Sequence, residues 1–217
     1  MKVIATVENE YLEKFGIPRQ SGRLSEVVSK IVFEREFSSP EAFKEIEGFS
    51  HLWLIFGFSK TEGKYLLSVR PPRLGGNKKV GVFASRSPYR PNSIGLSSVK
   101  LLKVEHQNGV TTLYVSGADL LNGTPIYDVK PYLTFTDCHI DAVNGYAEEF
   151  IDYKLKVENT SLLNCVSEEK RNQIIKALEE DPRPSYHKEG RVYGANLFGV
   201  EVKFKVISAT LFIIEVK

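Results

Sequence analysis

Six cations and no carboxylate occupy the stretch from Val69 to Leu96: Arg70, Arg73, Lys78, Lys79, Arg86 and Arg90. Arginine presents a planar fork of donors that matches carboxylate or phosphate in a bidentate way, so the chemistry this pattern suits is capture of an anion. Two of the turns are stiffened by proline, Pro71-Pro72-Arg73 and Tyr89-Arg90-Pro91-Asn92. A rigid turn holds a guanidinium with less loss of entropy. Widened to Gly63–Val104, the window still holds no Asp or Glu and carries nine Lys or Arg, whereas the whole chain is only +2. The cations are therefore concentrated in one segment, as in a protein that attracts a polyanion or an anionic small molecule. A near-neutral total excludes a uniformly basic nucleic-acid coat.

Other residues extend the list. Asp128 and Lys130 are two apart in Asp128-Val-Lys-Pro-Tyr132. On an extended chain they share a face, either as a surface ion pair or as a carboxylate and an ammonium flanking a reacting group. Pro18-Arg19-Gln20 lies in a loop over residues 9–23, long enough to suggest a task. Other chemistries find little support. The histidines His51, His106, His139 and His187 have no metal-ligand spacing among themselves or with Cys138 and Cys165, so no metal site is expected. His51, inside an apolar run, reads as structural. No G-x-S-x-G elbow is present. No G-x-G-x-x-G stands between a strand and a helix, and Gly75-Gly76-Asn77 has no helix after it, which argues against a Rossmann cofactor site.

The elements that would position these residues are mostly short strands. Residues 2–8, 27–33, 49–58, 65–69, 80–84, 97–105, 111–115 and 125–129 are β-branched or apolar runs broken by Gly and Pro. Asn108-Gly109 is a hairpin signal, and Asn122-Gly123 marks a second turn. Residues 41–46 should form a short helix, with Ser39 as its cap and Pro40 in its first turn. The spacing points to an antiparallel barrel or sandwich, mainly β. The pattern weakens over 134–150, which gives a domain of residues 1–135 followed by a small α+β domain of residues 150–217. In the latter, 154–157, 192–194, 200–206 and 211–216 read as strands. Residues 167–180 form the clearest helix, with Glu168 and Glu169 complementing its dipole.

With 217 residues, 42% of them hydrophobic and 26% charged, the chain reads as globular. No apolar run is long enough to cross a membrane as a helix, and the first residues lack the apolar core of a signal peptide. Two cysteines make no disulfide framework and read as partly buried small residues. The expected compartment is a reducing cytoplasm.

Several segments occur in order: Lys14-Phe-Gly-Ile-Pro-Arg-Gln20, Gly48-Phe-Ser-His-Leu-Trp53, Val69-Arg-Pro-Pro-Arg-Leu-Gly-Gly-Asn77, Gly81-Val-Phe-Ala-Ser-Arg-Ser87, Arg90-Pro-Asn-Ser-Ile-Gly-Leu96, Gly123-Thr-Pro-Ile-Tyr-Asp-Val-Lys-Pro-Tyr132 and Asp181-Pro-Arg-Pro-Ser-Tyr186. Together they resemble the TsaA-like family, and within it the TrmO group of tRNA methyltransferases, from about residue 3 to the end. The resemblance implies a single-sheeted antiparallel β-barrel in place of a Rossmann fold. It also implies a homodimer that uses S-adenosylmethionine to methylate the exocyclic amino nitrogen of threonylcarbamoyl-adenosine beside the tRNA anticodon. By the same resemblance Pro18, Arg19, Gln20, Arg86, Leu96, Leu120, Leu121, Asn122 and Gly123 contact the cofactor. Ser59 and Lys60 stand where the family often has His-Gln, and Asn122 stands where it more often has Asp. An amide can still hydrogen-bond a ribose hydroxyl.

Methyl transfer from a sulfonium is an in-line displacement, so alignment of the reactants can supply roughly 7–11 kcal/mol. The acceptor nitrogen bears a carbonyl substituent and is a poor nucleophile while protonated, which gives a base a task. Asp128 is the first candidate and Tyr132 the second. Lys130, Arg86 and Arg90 would hold anions, and Arg70, Arg73, Arg90 and Asn92 are the candidate tRNA contacts. Arg183, Lys188, Arg191, Lys203 and Lys205 could extend that footprint into the C-terminal domain. The competing expectation is a non-catalytic β-barrel module that binds RNA or an anionic nucleotide.

Overall fold

Alternation of apolar and polar residues sets which face of each strand is buried, and the computed structural model shows how those faces meet. It describes residues 1–13, 15–24, 27–61, 64–74, 78–183 and 189–217. Lys14, Gly75-Gly76-Asn77, the Pro184-Ser185-Tyr186 end of the late motif, His187 and Lys188 lie outside the described residues. The chain divides into two units. The first comprises Met1–Leu12, Gln20–Val69 and Lys79–Cys138, and the second Glu13–Arg19, Arg70–Lys78 and His139–Lys217.

In the first unit the strands are β1 (Ala5–Glu8), β2 (Val28–Phe33), β3 (His51–Gly57), β4 (Ser68–Val69), β5 (Val80–Gly81), β6 (Ile94–Gln107), β7 (Val110–Ser116) and β8 (Pro125–Pro131). Six of them close in the order β1-β2-β7-β6-β3-β8, every pairing antiparallel. Closure leaves no free sheet edge in that ring. Alternate residues point inward: Ala5, Val7, Ile31, Phe33, Leu52, Leu54, Phe56, Val99, Leu113, Val115 and Ile126 form one buried cluster. Burying a Leu or Phe of this kind contributes about 1.5–3 kcal/mol. The side chains between them on β3, His51, Trp53 and Ile55, face outward and are only half-buried. β6 serves two neighbours, pairing β3 through Ile94–Lys100 and β7 beyond it. A bulge at Leu102, which has no partner residue, turns the strand between them. The Asn108-Gly109 hairpin forms as its sequence predicts, with φ of 51° and 74°.

Several local expectations are corrected. Residues 41–46 are not one α-helix: Pro40–Phe43 is a 3₁₀ turn, Ile46 opens a second over Ile46–Gly48, and Ser39 makes no side-chain cap. Of 65–69 only Ser68–Val69 pairs, and of 80–84 only Val80–Gly81. Val82–Ala84 coils into a 3₁₀ turn because Arg90 Nη1 donates to the carbonyls of Val82 (3.0 Å) and Ser85 (2.7 Å), drawing the chain round. Both cysteines are exposed, not partly buried.

The second unit has strands β9 (Lys156–Glu158), β10 (Val192–Leu197), β11 (Val200–Ile207) and β12 (Thr210–Val216) in the order β10-β11-β12-β9. β9 runs parallel to β12, and the other pairs are antiparallel. Calling the helical turn Thr134–Asp137 α1, the long helix is α2, Glu168–Glu179. Ser167 caps α2 by accepting from the Lys170 amide at 3.3 Å, and Ile174, Ala177 and Leu178 bury its apolar stripe. Phe204, fully buried, is flanked by the rings of Tyr193 at 5.8 Å and Phe15 at 6.1 Å.

Candidate functional site

On the outer face of the barrel, β3 lies between β6 and β8. Its outward Trp53 pairs with Ser98 on one side and Lys130 on the other. Tyr132 follows β8, and its ring stands 5.3 Å from that of Trp53 at an angle of 47°. The α1 turn then brings Asp137 back. Its Oδ2 accepts from Trp53 Nε1 at 2.8 Å and from the Leu133 amide at 2.9 Å. A cleft of about 760 Å³ opens here. His51, Trp53 and Tyr132 form its aromatic wall, the exposed Phe135 its rim, and Arg86 and Ser21 line it as well. Among the described residues no Asp or Glu lines it.

Arg86 also holds Gln20: its Nη1 donates to Gln20 Oε1 at 2.6 Å. Within reach of the Arg86 charge is Asp119, which sequence reasoning missed. Its Oδ1 accepts from the Ser97 hydroxyl, and the Ser21 backbone supports it as well. Burial pushes this carboxyl above the usual range. The Ser97 bond and the Arg86 charge oppose that shift without cancelling it. A carboxylate held against a desolvation penalty beside an arginine is a frequent mark of a working site. The signal available in sequence was its place in Gly117-Ala-Asp-Leu-Leu-Asn-Gly123, one residue before the turn attributed to the cofactor.

The other expected residues divide by location. Asn122 is well tied, accepting from the Asn9 amide at 3.0 Å through Oδ1, while Leu120 gives its carbonyl to Asn9 Nδ2 at 2.9 Å. Leu121 is half-buried, and Gly123 is exposed with φ of 78°. Leu96 is exposed on β6 opposite Ile55. Ser59 and Lys60 are exposed just past β3. Asp128 and Lys130 form a surface ion pair at 3.0 Å, and the Val129 amide donates to Asp128 at 2.9 Å. Neither lines the cleft, although both lie on the outer face that carries Trp53. Burial, with Cys138 and Asp137 adding to it, pushes the Tyr132 phenol up, so it stays protonated at neutral pH. His51 is not an interior structural histidine; it lines the cleft, with Nδ1 2.9 Å from Ser50 Oγ. Asn92 and Arg70 are exposed, and Arg90 holds its own turn as described.

Within the second unit, Arg19 and Arg73 serve as struts. Arg19 Nη2 donates to the carbonyls of Asp181 (3.2 Å) and Arg183 (2.9 Å), and Arg73 Nη2 donates to that of Glu180 at 3.0 Å. The Arg73 guanidinium also stacks 4.0 Å from the Tyr153 ring centre. Asp181 anchors the turn that ends α2. Its carboxylate takes a bidentate pair from Arg183 at 2.6 and 2.7 Å and a bond from the Tyr153 hydroxyl at 2.9 Å. Burial favours the neutral acid, but the Arg183 bonds and charge outweigh it and hold Asp181 below the usual carboxylate range. Pro18 is buried. The early loop is thus split, with Pro18 and Arg19 in the second unit and Gln20 in the first.

Two family models match this chain in sequence: the tRNA-methyltransferase O N-terminal domain over residues 6–138 and the TrmO C-terminal domain over residues 152–217. The chain belongs to the TrmO family. Its relatives include the tRNA (adenine(37)-N6)-methyltransferase of Escherichia coli K12, 37% identical over 95% of this chain and 92% of that protein. A putative S-adenosylmethionine-dependent methyltransferase of Pseudomonas aeruginosa, RcsF, is 38% identical over 92% of this chain and 89% of its own length. A crystal structure of TrmO from P. aeruginosa superposes with a TM-score of 0.75 at 30% identity, covering all of this chain and 96% of the other. The single-sheeted barrel implied by the TrmO resemblance is the one observed. The aromatic cleft, Arg86, Gln20 and Asp119 all fall within the span of the TrmO N-terminal model, and the Asp181–Arg183 anchor falls within that of the C-terminal one. No helix among the described residues is long and apolar enough to cross a membrane, and among them no three His, Cys, Asp or Glu group as metal ligands.

Proposed function

We propose that this chain transfers a methyl group from S-adenosylmethionine to the exocyclic amino nitrogen of threonylcarbamoyl-adenosine next to the tRNA anticodon. The observation that carries the reading is membership, along nearly the whole chain, in a family of tRNA methyltransferases. The donor set around Arg86 suits the cofactor chemically. A zwitterionic amino acid attached to a sulfonium needs a cation for its carboxylate, an anion for its positive charge and apolar surface for its adenosine. Arg86, Asp119 and exposed Leu96 offer these three chemistries. Gln20, with Pro18 and Arg19 before it, Ser59, Lys60 and the Leu120–Gly123 turn complete the proposed set. Bound there, S-adenosylmethionine supplies a methyl group activated by its sulfonium.

The chain's own residues then have separable tasks. Tyr132, held protonated, donates a hydrogen bond at the cleft wall. Asp128 is the candidate to take the proton of the acceptor nitrogen, with Lys130 compensating its charge. Arg70 and Asn92, both exposed, contact the RNA. Arg73 and Arg90 act by fixing the turns they belong to, because their guanidinium groups already donate to backbone carbonyls. The domain of residues 1–135 carries cofactor binding and chemistry, and that of residues 150–217 extends the tRNA footprint. We read the working form as a homodimer in the cytoplasm.

Incubation with methyl-labelled S-adenosylmethionine and tRNA, with or without the threonylcarbamoyl group, tests the reading. Nucleoside mass analysis should find one added methyl on the modified adenosine and none on tRNA lacking the group. A module that only binds would retain RNA or cofactor and transfer nothing. Light scattering on the purified protein checks the dimer.

A further inference from the structure

We propose that the cleft on the outer barrel face is a nucleobase-stacking site that holds the acceptor adenine of the RNA, with Trp53 and Tyr132 as its wall and Phe135 as its outer contact. The inference rests on the methyltransferase reading and names the place of its acceptor. The wall is built before any ligand arrives. Asp137 Oδ2 ties the indole of Trp53 and the Leu133 amide to a single atom, which fixes the two rings against each other. A preformed aromatic surface binds a flat heterocycle with little loss of side-chain freedom. Phe135 offers a further aromatic surface. It is 86% exposed at the cleft rim, on the turn that Asp137 secures. A phenyl ring left in water at the mouth of an aromatic cleft gains by covering a base.

The polar lining selects among bases and neighbours. Ser21, Ser50, Ser98 and Thr134 offer hydroxyls that both donate and accept, as the edge of an adenine requires. Among the described residues the lining includes Arg86 and no carboxylate, which suits a base bearing an anionic substituent such as a threonyl carboxylate. Arg86 also bonds Gln20, so one arginine both lines the cleft and holds a residue assigned to the methyl donor. An in-line transfer needs donor and acceptor to converge on one place, and Arg86 belongs to both sides.

Trp53 is the chain's single tryptophan, so its fluorescence reports on this cleft alone. The experiment titrates the full-length protein with an anticodon stem–loop carrying the modified adenosine, and with the same RNA made abasic at that position. The intact loop should quench Trp53 in a saturable way, and the abasic loop at least threefold less. Phe135→Ala, an exposed truncation with no burial to lose, should raise the KM for tRNA about five- to hundredfold, the range of one lost base–aromatic stack, and leave the Kd for S-adenosylmethionine within twofold. Equal quenching by the abasic RNA would overturn the proposal. So would a Phe135→Ala defect confined to S-adenosylmethionine, since the cleft would then hold the cofactor's own adenine. Absence of methyl transfer by the parent protein would refute the enzymatic reading while leaving the quenching comparison to decide the stacking site.

Discussion

Asp119 is the residue at which stability and activity are expected to oppose each other. Burial raises its pKa, so the cost of keeping it ionised grows as pH rises through the unfolded carboxyl value near 4, and is complete above the raised folded value. Asp119→Asn removes that cost. The variant should melt at a higher temperature than the parent at pH 7, the difference vanishing below about pH 4, while methyl transfer falls at least tenfold. Calorimetry across pH together with initial rates checks both halves, and a loss of stability at pH 7 would mean that the carboxylate is structural. Asp128 and Tyr132 separate in a different manner. Asp128→Asn should lower kcat by about 10²-fold if its carboxylate takes the proton. Tyr132→Phe keeps the ring against Trp53 and removes one hydrogen bond, so its effect should stay within about tenfold. A rate within a factor of two of the parent for Asp128→Asn would remove that residue from the chemistry.

At the scale of elements, the contact between β6 and β3 and the turn after α2 carry the clearest consequences. Gly95 sits opposite Phe56, and a Cβ there would run into the Phe56 ring. That ring fills the buried cluster and has little room to retreat, so Gly95→Ala should cost about 1–3 kcal/mol in a denaturant titration. The turn ending α2 depends on Asp181, whose φ is 51° and whose partner Arg183 is 5% exposed. Asp181→Ala leaves that guanidinium buried without its carboxylate, an expected loss of about 3–5 kcal/mol at pH 7. Because the folded pKa of Asp181 is depressed, its contribution is present above about pH 4 and fades as pH falls through the lower folded value. Parent and variant should therefore converge in strong acid.

The whole molecule combines a closed barrel with a second unit that draws on distant parts of the chain. Phe15 lies against Phe204, Arg19 on the carbonyls of Asp181 and Arg183, and Arg73 on Tyr153. A fragment starting at His139 lacks all three, so hydrogen exchange along β11 should be faster in it than in the intact chain. Equal protection would show that the early segments contribute nothing to that unit. The charge distribution acts at the same scale. Nine cations without an acid between Gly63 and Val104 predict tRNA binding that weakens with salt, because each neutralised phosphate releases counterion. Affinity should fall on the order of tenfold or more between about 50 and 200 mM salt. A flat response would mean that those cations face away from RNA.

The barrel was legible because period-two alternation, Gly and Pro breaks and the Asn108-Gly109 turn are local signals, and each strand carries its own record of which face is buried. The turn at Ser208-Ala209, with φ of 46° and 61°, left no such record because neither residue advertises a left-handed backbone. The site was half legible. Family resemblance gave Arg86 and Gln20 as cofactor contacts, and the chemistry of the acceptor nitrogen gave Tyr132 as a candidate base. Only the tertiary structure turned Arg19, Arg73 and Arg90 into struts, since a guanidinium's partner here is a carbonyl remote in sequence or hidden inside a turn. It also made His51 and Trp53 a cleft wall, because an apolar run reads the same from either face until closure decides which residues turn inward. Charge, periodicity and turn chemistry are properties of neighbours along the chain. Desolvation and partnership are properties of neighbours in space, and these decide what Asp119 and the arginines do.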